Sequence, residues 1–213
     1  MLNLVTGYRG TPHVTADEEA VKNLMTFEDF LVTENGEKLA YNIVSNNQIR
    51  IMSGDIMAHG RLVRLEGYEN VSIATGTQGM RRKDLICLRY EKNSGTGVES
   101  VALVAIKGTE TSGTAKVPTH NTGSILNGNS PVDFPLYTVT IEGLTVTAVT
   151  AMFTTTKKIH ERISGFYEEV NKVQAKADAL EAAKAPAYTY GTEDLTAGTS
   201  RLATGTLHLV YEA

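Results

Sequence analysis

Hydrophobic and polar positions repeat with a helical period in the stretch from Thr156 to Ala185. Apolar residues recur there in alternating steps of four and three residues, which is the a/d pattern of a heptad repeat. The seam positions are Ile159, Ile163, Phe166, Val170, Val173, Ala177 and Leu180. A strict seven-residue repeat favours supercoiling around a partner over packing flat on a globular domain. The pattern predicts a coiled-coil helix over residues 156–185, which Pro186 ends because it lacks a backbone N–H.

The alternative is a single amphipathic helix docked on its own domain. Three heptads are the lower limit for a coiled coil, and Gly165 weakens the helix by about 1 kcal/mol relative to alanine. The flanking positions support the coiled coil, because Lys176 at a g position and Glu181 at an e position have the right signs to bridge neighbouring helices. The seam mixes five residue types, so it does not fix the number of strands.

Between Leu39 and Phe153 the chain shows short Thr- and Val-rich runs separated by Gly and Asn, which predicts strands and turns. The clearest hairpins join Asp84–Lys92 to Val98–Gly108 and fold Pro135–Phe153 around Glu142-Gly143. Further strands are predicted over Leu39–Val44, Gln48–Gly54, Asp55–Gly67 with a bend at Gly60, and Val71–Gly76. The polar stretch from Thr109 to Pro131 predicts a long surface loop or a pair of turns.

The two ends of the chain complete the predicted architecture. Thr15 and Glu18 have capping-box spacing, which predicts a helix over Ala16–Met25 with Phe27, Phe30 and Leu31 continuing its contacts. Near the other end, strands are predicted at Tyr188–Tyr190 and Thr206–Tyr211. So short a segment cannot bury a core alone, so these strands either extend the first domain's sheet or pair between copies of the chain.

The fold class that follows is mainly β with one N-terminal helix. A sandwich or barrel-like β domain over residues 1–153 precedes the heptad helix over 156–185 and a short β tip over 187–213. Tyr188, Tyr190 and Tyr211 cluster at this tip, where they either pack between subunits or form a contact surface.

Composition narrows the classes of function. The net charge is −4 and charged residues make up 21% of the 213 residues, so nothing indicates nucleic acid or an anionic membrane as a partner. The start of the chain has no basic and apolar signal-peptide pattern, and no run is long enough for a membrane span. We therefore expect synthesis and assembly in the cytoplasm. Cys87 is the only cysteine, which excludes a disulfide within the chain and predicts a buried, inert thiol.

Residues with catalytic or metal-binding potential are scattered. The histidines at 13, 59, 120, 160 and 208 lack neighbours at metal-ligand spacing, and no nucleophile elbow or phosphate loop is present. The basic stretch Gly76–Lys83 is interpreted as a turn with a basic edge. An acid/base pair could form if two of the carboxylates Asp84, Asp133 and Glu142 lay close together in the fold. With 24 acidic residues in the chain, this possibility is not specific evidence for catalysis. We predict a non-enzymatic protein without cofactor or metal.

Five segments of the sequence together resemble a known family of proteins. The segments are MLNLVTGYRGTPHVTADEEA, NIVSNNQIRIMSGDIMAHGRLVRL, GTQGMRRKDLICLRYEKNSGTGVESVALVAIKGT, DFPLYTVTIEGL and YTYGTEDLTAGTSRLATGTLHLVYE. In this order they resemble tail and baseplate structural proteins of phages or prophages of Gram-positive bacteria, over most of residues 1–153 and 188–211.

The resemblance implies a virion component at the distal tail, assembled in the host cytoplasm. It implies that the N-terminal β domain docks onto other tail or baseplate proteins and that the helix trimerises as a stem, giving a homotrimer. Longer members of the family carry a receptor-binding or adaptor module, whereas only a small tip follows the helix here. The alternatives are a receptor-binding protein that recognises a host cell-surface saccharide, a glycan depolymerase and an assembly chaperone.

Overall fold

The computed structural model describes residues 14–184, 188–191 and 207–210. The chain divides into two compact units, Met1–Lys158 and Ile159–Ala213. The prediction of a mainly β protein is confirmed, because the first unit contains two β-sheets and one short helix in its described part. The boundary falls five residues beyond the predicted end at Phe153.

The N-terminal helix α1 covers Ala16–Leu24 and begins with the predicted capping box. The backbone N–H of Glu18 donates to Thr15 Oγ1 at 3.2 Å, and the Thr15 N–H donates to Glu18 Oε2 at 2.8 Å. Ala20 is buried, and Asn23 Nδ2 donates to the Gly60 carbonyl at 2.8 Å. These contacts hold α1 against the turn that joins two strands of the first sheet.

The first sheet has five strands. They are β1 (Phe30–Thr33), β2 (Tyr41–Ser45), β3 (Gln48–Ala58), β4 (Arg61–Ser72) and β9 (Thr155–Thr156). β3 lies at the centre and pairs with β2 and β1 along one side and with β4 along the other. β9 pairs parallel with β1, with Val32 opposite Thr155. This parallel pair places the end of the first unit in its own sheet.

Three sequence-based predictions for this sheet have different outcomes. Phe30 and Leu31, which were expected to continue the contacts of the helix, begin β1, and Leu31 lines one surface pocket together with Ala16 and Ala20 of α1. The separate strand predicted over Val71–Gly76 is wrong, because Val71 and Ser72 are the last residues of β4. The expected bend at Gly60 is present as the turn between β3 and β4.

The second sheet has four antiparallel strands in the order β6-β5-β7-β8. They are β5 (Arg81–Lys92), β6 (Glu99–Ile106), β7 (Val132–Glu142) and β8 (Thr145–Ala151). Both predicted hairpins are confirmed, β5 with β6 and β7 with β8. The interpretation of Gly76–Lys83 as a turn with a basic edge is wrong for its second half, because Arg81 begins β5 and Arg82 is buried.

The two sheets share one hydrophobic core. Its cluster combines Val32, Ile49 and Ile51 of the first sheet with Ile86, Leu136 and Val139 of the second, all fully buried. Aromatic contacts join the sheets, since Phe30 stacks on Phe134 at 5.6 Å between ring centroids. Tyr137 also donates its hydroxyl to the Leu39 carbonyl at 2.5 Å.

The predicted loop over Thr109–Pro131 is largely irregular, with one 3₁₀ turn at Ile125–Asn127. It is fixed at Thr111, which bridges Arg81, and at Asn121, which donates to Asp133. Leu85 and Cys87, between these anchors on β5, are fully buried but lie outside the core cluster. Alternation along the strand puts them on the face opposite the core. The loop is therefore positioned to cover the outer face of β5.

The second unit contains the long helix α2, Ile159–Lys184, close to the predicted range of 156–185. Two short strands follow, β10 (Tyr188–Gly191) and β11 (Leu207–Val210), at the predicted positions. They pair parallel with each other, Tyr188 opposite Leu207. A two-stranded sheet is marginally stable by itself in water, so these strands need support from further contacts.

Candidate functional site

The predicted heptad seam forms an apolar stripe along α2. Its members are Ile159, Ile163, Phe166, Val170, Val173, Ala177 and Leu180, and every one is exposed. The exposed fraction reaches 66% at Phe166 and 65% at Val173. Single exposed apolar residues are common on proteins, but a continuous row of them marks an interaction surface. We call these seven residues the α2 seam.

The α2 seam is flanked by side chains suited to a second helix. Lys176 and Glu181 are exposed and form no ion pair within the part of the chain that the structure describes. Other polar side chains bond along α2: Lys172 Nζ lies 2.7 Å from Glu169 Oε1, and Gln174 Nε2 donates to Asp178 Oδ1 at 2.7 Å. The opposite charges at g and e are therefore available to a neighbouring chain.

The proposed tip surface is described only in its backbone. Tyr188 and Tyr190 are the first and third residues of β10. Tyr211 lies outside the described residues. The predicted grouping of the three tyrosines therefore stays a prediction.

Charged residues in the first unit form structural ion pairs. The three carboxylates considered above as an acid/base group do not pair with one another, because each has its own arginine. Asp84 binds Arg82 and Asp133 binds Arg89, both at 2.7 Å, while Glu142 lies 3.6 Å from Arg81. This pairing suits holding strands and loops together.

Asp133 shows how one of these carboxylates is held in its charged form. Its side chain is buried, and burial acts to raise its pKa. Hydrogen bonds from the guanidinium of Arg89 and from the backbone and side chain of Asn121 outweigh this effect, so the pKa lies below its ordinary value. A carboxylate ionised by fixed donors is a poor proton donor near neutral pH.

Two further side chains of reactive types, Cys87 and His59, have buried or structural positions. Cys87 is fully buried, and burial raises the pKa of its thiol to about 12. His59 accepts a hydrogen bond at Nδ1 from the Ile125 N–H at 3.2 Å and contacts the Phe134 ring edge-on. Burial lowers the pKa of His59, which favours the neutral imidazole that this bond requires.

The remaining histidines do not converge on a site. His160 is exposed beside the α2 seam, and His120 lies in the long loop. His13 lies outside the described residues, and His208 is in β11. Across the described ranges, His, Cys, Asp and Glu side chains form no group of three that would hold a metal ion.

Sequence reasoning found the α2 seam but missed two arginine centres. Arg82 joins Asp84 and Glu110, and Arg61 joins Asp17 of α1 to Glu99 of β6. For the first centre a signal was present, because Arg82 and Asp84 are two residues apart and so share a strand face. For the second the partners are 38 and 44 residues from Arg61 in sequence, beyond any local pattern.

The comparisons with known proteins returned no family: no protein-family model matches the chain, and no curated protein does. Among the described residues, neither helix has the length and apolar character that crossing a membrane requires. The features of this chain that bear on its function are therefore the α2 seam, the two-sheet unit and the sequence segments quoted above.

Proposed function

We propose that this chain is a structural subunit of a phage tail tip or baseplate that self-associates through α2. The exposed α2 seam is the observation that carries the proposal. Covering exposed apolar side chains along one helix face with sister helices lowers the free energy of the system. In this proposal α2 forms a trimeric coiled-coil stem. The choice of a trimer rests on the resemblance to phage tail proteins.

The remaining parts have roles consistent with a virion subunit. The two sheets pack as a sandwich that docks onto neighbouring tail proteins, and its buried ion pairs hold the strands and loops in one arrangement. The strands β10 and β11 gain the support they need when the stem gathers several copies, since a two-stranded sheet alone is marginal. No enzymatic step is part of the proposal.

The first test is the mass of the full chain in native buffer, with a matched pair of α2 variants. We expect a discrete oligomer, with a trimer at three times the 23.0 kDa chain mass. Val170→Lys places charges in the seam and should give monomers, whereas Asn171→Lys adds the same side chain one residue outside the seam and should leave the oligomer intact. A monomeric full chain at all accessible concentrations would reject the stem.

The second test concerns the location of the protein. Antibodies raised against the chain should label the tail end of purified phage particles from a host that carries the gene. Protein present in the lysate but absent from finished particles would instead indicate an assembly chaperone.

A further inference from the structure

One edge of the strand β2, Tyr41–Ser45, has no backbone partner among the described residues. Within residues 14–184 β2 pairs with β3 alone, and all of its residues are exposed. Its sequence YNIVS contains neither a charged residue nor proline. Edge strands normally carry such residues because free backbone groups invite pairing with another strand. The strand on the other side of β3 follows that rule, because β4 carries the charges of Arg61, Arg64, Glu66 and Glu69.

The hydrogen-bond phase of β2 identifies which backbone groups are free. The Met52 N–H donates to the Ala40 carbonyl at 2.8 Å, and Asn42 lies opposite Arg50. Because antiparallel pairs alternate between bonded and non-bonded positions, Asn42 directs its backbone groups toward β3. Tyr41 and Ile43 then direct their N–H and C=O groups toward the open edge. The edge offers two donors and two acceptors to an extended strand.

We propose that β2 pairs antiparallel with β2 of a second copy of this chain, about a twofold axis through Asn42. In this register Tyr41 of each copy lies opposite Ile43 of the other, and these two pairs exchange four backbone hydrogen bonds. The register shift between Ile43 and Ser45 ends the regular edge, which centres the available segment on Asn42. The occupant is a second copy because this segment complements itself.

The absence of charge is what permits this self-pairing. When a strand pairs with its own copy about a twofold axis, the central residue lies opposite itself and its neighbours lie opposite one another. A charged residue in the segment would therefore lie close to the same charge on the other copy, which destabilises the pair. Asn42 at the centre and the Tyr41 and Ile43 side chains beside it carry no charge. Both side chains are partly exposed, at 38% for Tyr41 and 47% for Ile43, so pairing removes part of their apolar surface from water.

Pairing through β2 does not depend on the α2 seam. If α2 forms a stem, β2 pairing would join one stem to the next. The two contacts are therefore tested separately.

The test uses Asn42→Cys in the full chain. At the twofold axis residue 42 is a non-hydrogen-bonded pair, in which the Cα atoms are about 4.5 Å apart and within the range of a disulfide. Asn46→Cys places an exposed thiol in the adjacent turn, outside the strand, and serves as the matched control. Cys87 is buried and should not compete. Under mild oxidation, Asn42→Cys should form disulfide-linked dimers at least about tenfold faster than Asn46→Cys, since pairing raises the effective thiol concentration.

Two further variants test the pairing. Ile43→Pro in the Asn42→Cys chain removes an edge-facing N–H that β3 does not use, so the sheet should persist and linking should fall to the control rate. Ile43→Lys keeps every backbone group and adds a charge, and should also slow linking; it decides the matter if the proline variant fails to fold. Equal rates for Asn42→Cys and Asn46→Cys would overturn the proposal, as would fast linking in folded Ile43 variants. With Val170→Lys added, linking should persist, which separates this contact from the α2 stem.

Discussion

Arg82 and Asp84 form a bidentate ion pair on the core side of β5, and both side chains are only 1% exposed. Arg82 Nε donates to Asp84 Oδ1 at 2.7 Å and Nη2 to Oδ2 at 3.1 Å. The other donors of the guanidinium reach the carbonyls of Ala74 and Thr75 and the carboxylate of Glu110. Together these contacts use the five N–H groups of an arginine. The pair thus ties β5 to the segment after β4 and to the loop after β6.

Removing Arg82 should be strongly destabilising. Arg82→Met leaves Asp84 as a buried charge without its partner, which costs about 3–5 kcal/mol of unfolding free energy. Arg81→Met is the matched control, because Arg81 is next in sequence but exposed and 3.6 Å from Glu142; its effect should be below about 1 kcal/mol. Urea unfolding of both variants provides the comparison. Similar midpoints for the two variants would show that the buried pair does not hold the fold.

Local patterns in the sequence predicted the elements that depend on neighbouring residues. The capping box of Thr15 and Glu18 located the start of α1, and the heptads located α2 to within a few residues at each end. The hairpins of β5 with β6 and of β7 with β8 were also predicted, because their turns contain glycine and their strands lie next to each other in sequence.

Elements that depend on distant contacts were not predicted. β1 has four residues and β9 has two, and they exist because they pair with strands far away in the chain. Arg82 was assigned to a turn with a basic edge, whereas its partners Asp84 and Glu110 hold it inside the protein. For the candidate site, the α2 seam is a pattern along one helix, so the local sequence predicted it. Contact between the α2 seam and a partner involves a second chain, so no local pattern in one chain establishes it.

Gly60 should be required for the docking of α1. It has φ of +79°, and a Cβ atom at this position would lie 2.3 Å from the Ala20 carbonyl oxygen. Gly79 has φ of +78° with no atom within 4 Å of a built Cβ, so Gly79→Ala shares the backbone strain without the clash. Gly60→Ala should therefore be the more destabilising of the two, and hydrogen exchange should show α1 losing protection. Equal unfolding free energies for the two variants would contradict this role.

Asp133 should make stability depend on pH in the acid range. Its folded-state pKa lies below the ordinary value of 3.8, so the folded state stabilises the ionised form. The contribution is fully present above the unfolded pKa and is lost as pH falls through the lower folded pKa. Asp55 and Glu99 also have lowered pKa values and act in the same direction. Asp133→Asn should therefore flatten the fall in unfolding free energy below about pH 4, and a curve of unchanged slope would exclude the effect.

Gly165 should be the position at which alanine stabilises α2. It lies inside the helix, and a Cβ atom there would meet no atom within 4 Å. Alanine is favoured over glycine in a helix interior by about 1 kcal/mol. Gly165→Ala should raise the helical signal in circular dichroism and the thermal stability of any oligomer formed through the α2 seam. Gly128→Ala also enters open space but at φ of +80°, and it should destabilise the protein because that backbone conformation is unfavourable for alanine.

The charges of Lys176 and Glu181 should report the direction of the helices in the α2 stem. In a parallel coiled coil a g residue lies near the e residue five positions later on the next helix, which brings Lys176 beside Glu181 of a sister chain. Lys176→Glu should therefore weaken the oligomer, and adding Glu181→Lys should restore it by exchanging the two signs. The readout is the oligomer dissociation constant from sedimentation equilibrium at low salt, since screening reduces exposed ion pairs. In an antiparallel stem g positions face g positions and e positions face e positions, so the exchanged pair would not compensate. Failure of Glu181→Lys to restore a weakened oligomer would thus reject parallel helices while leaving self-association through the α2 seam intact.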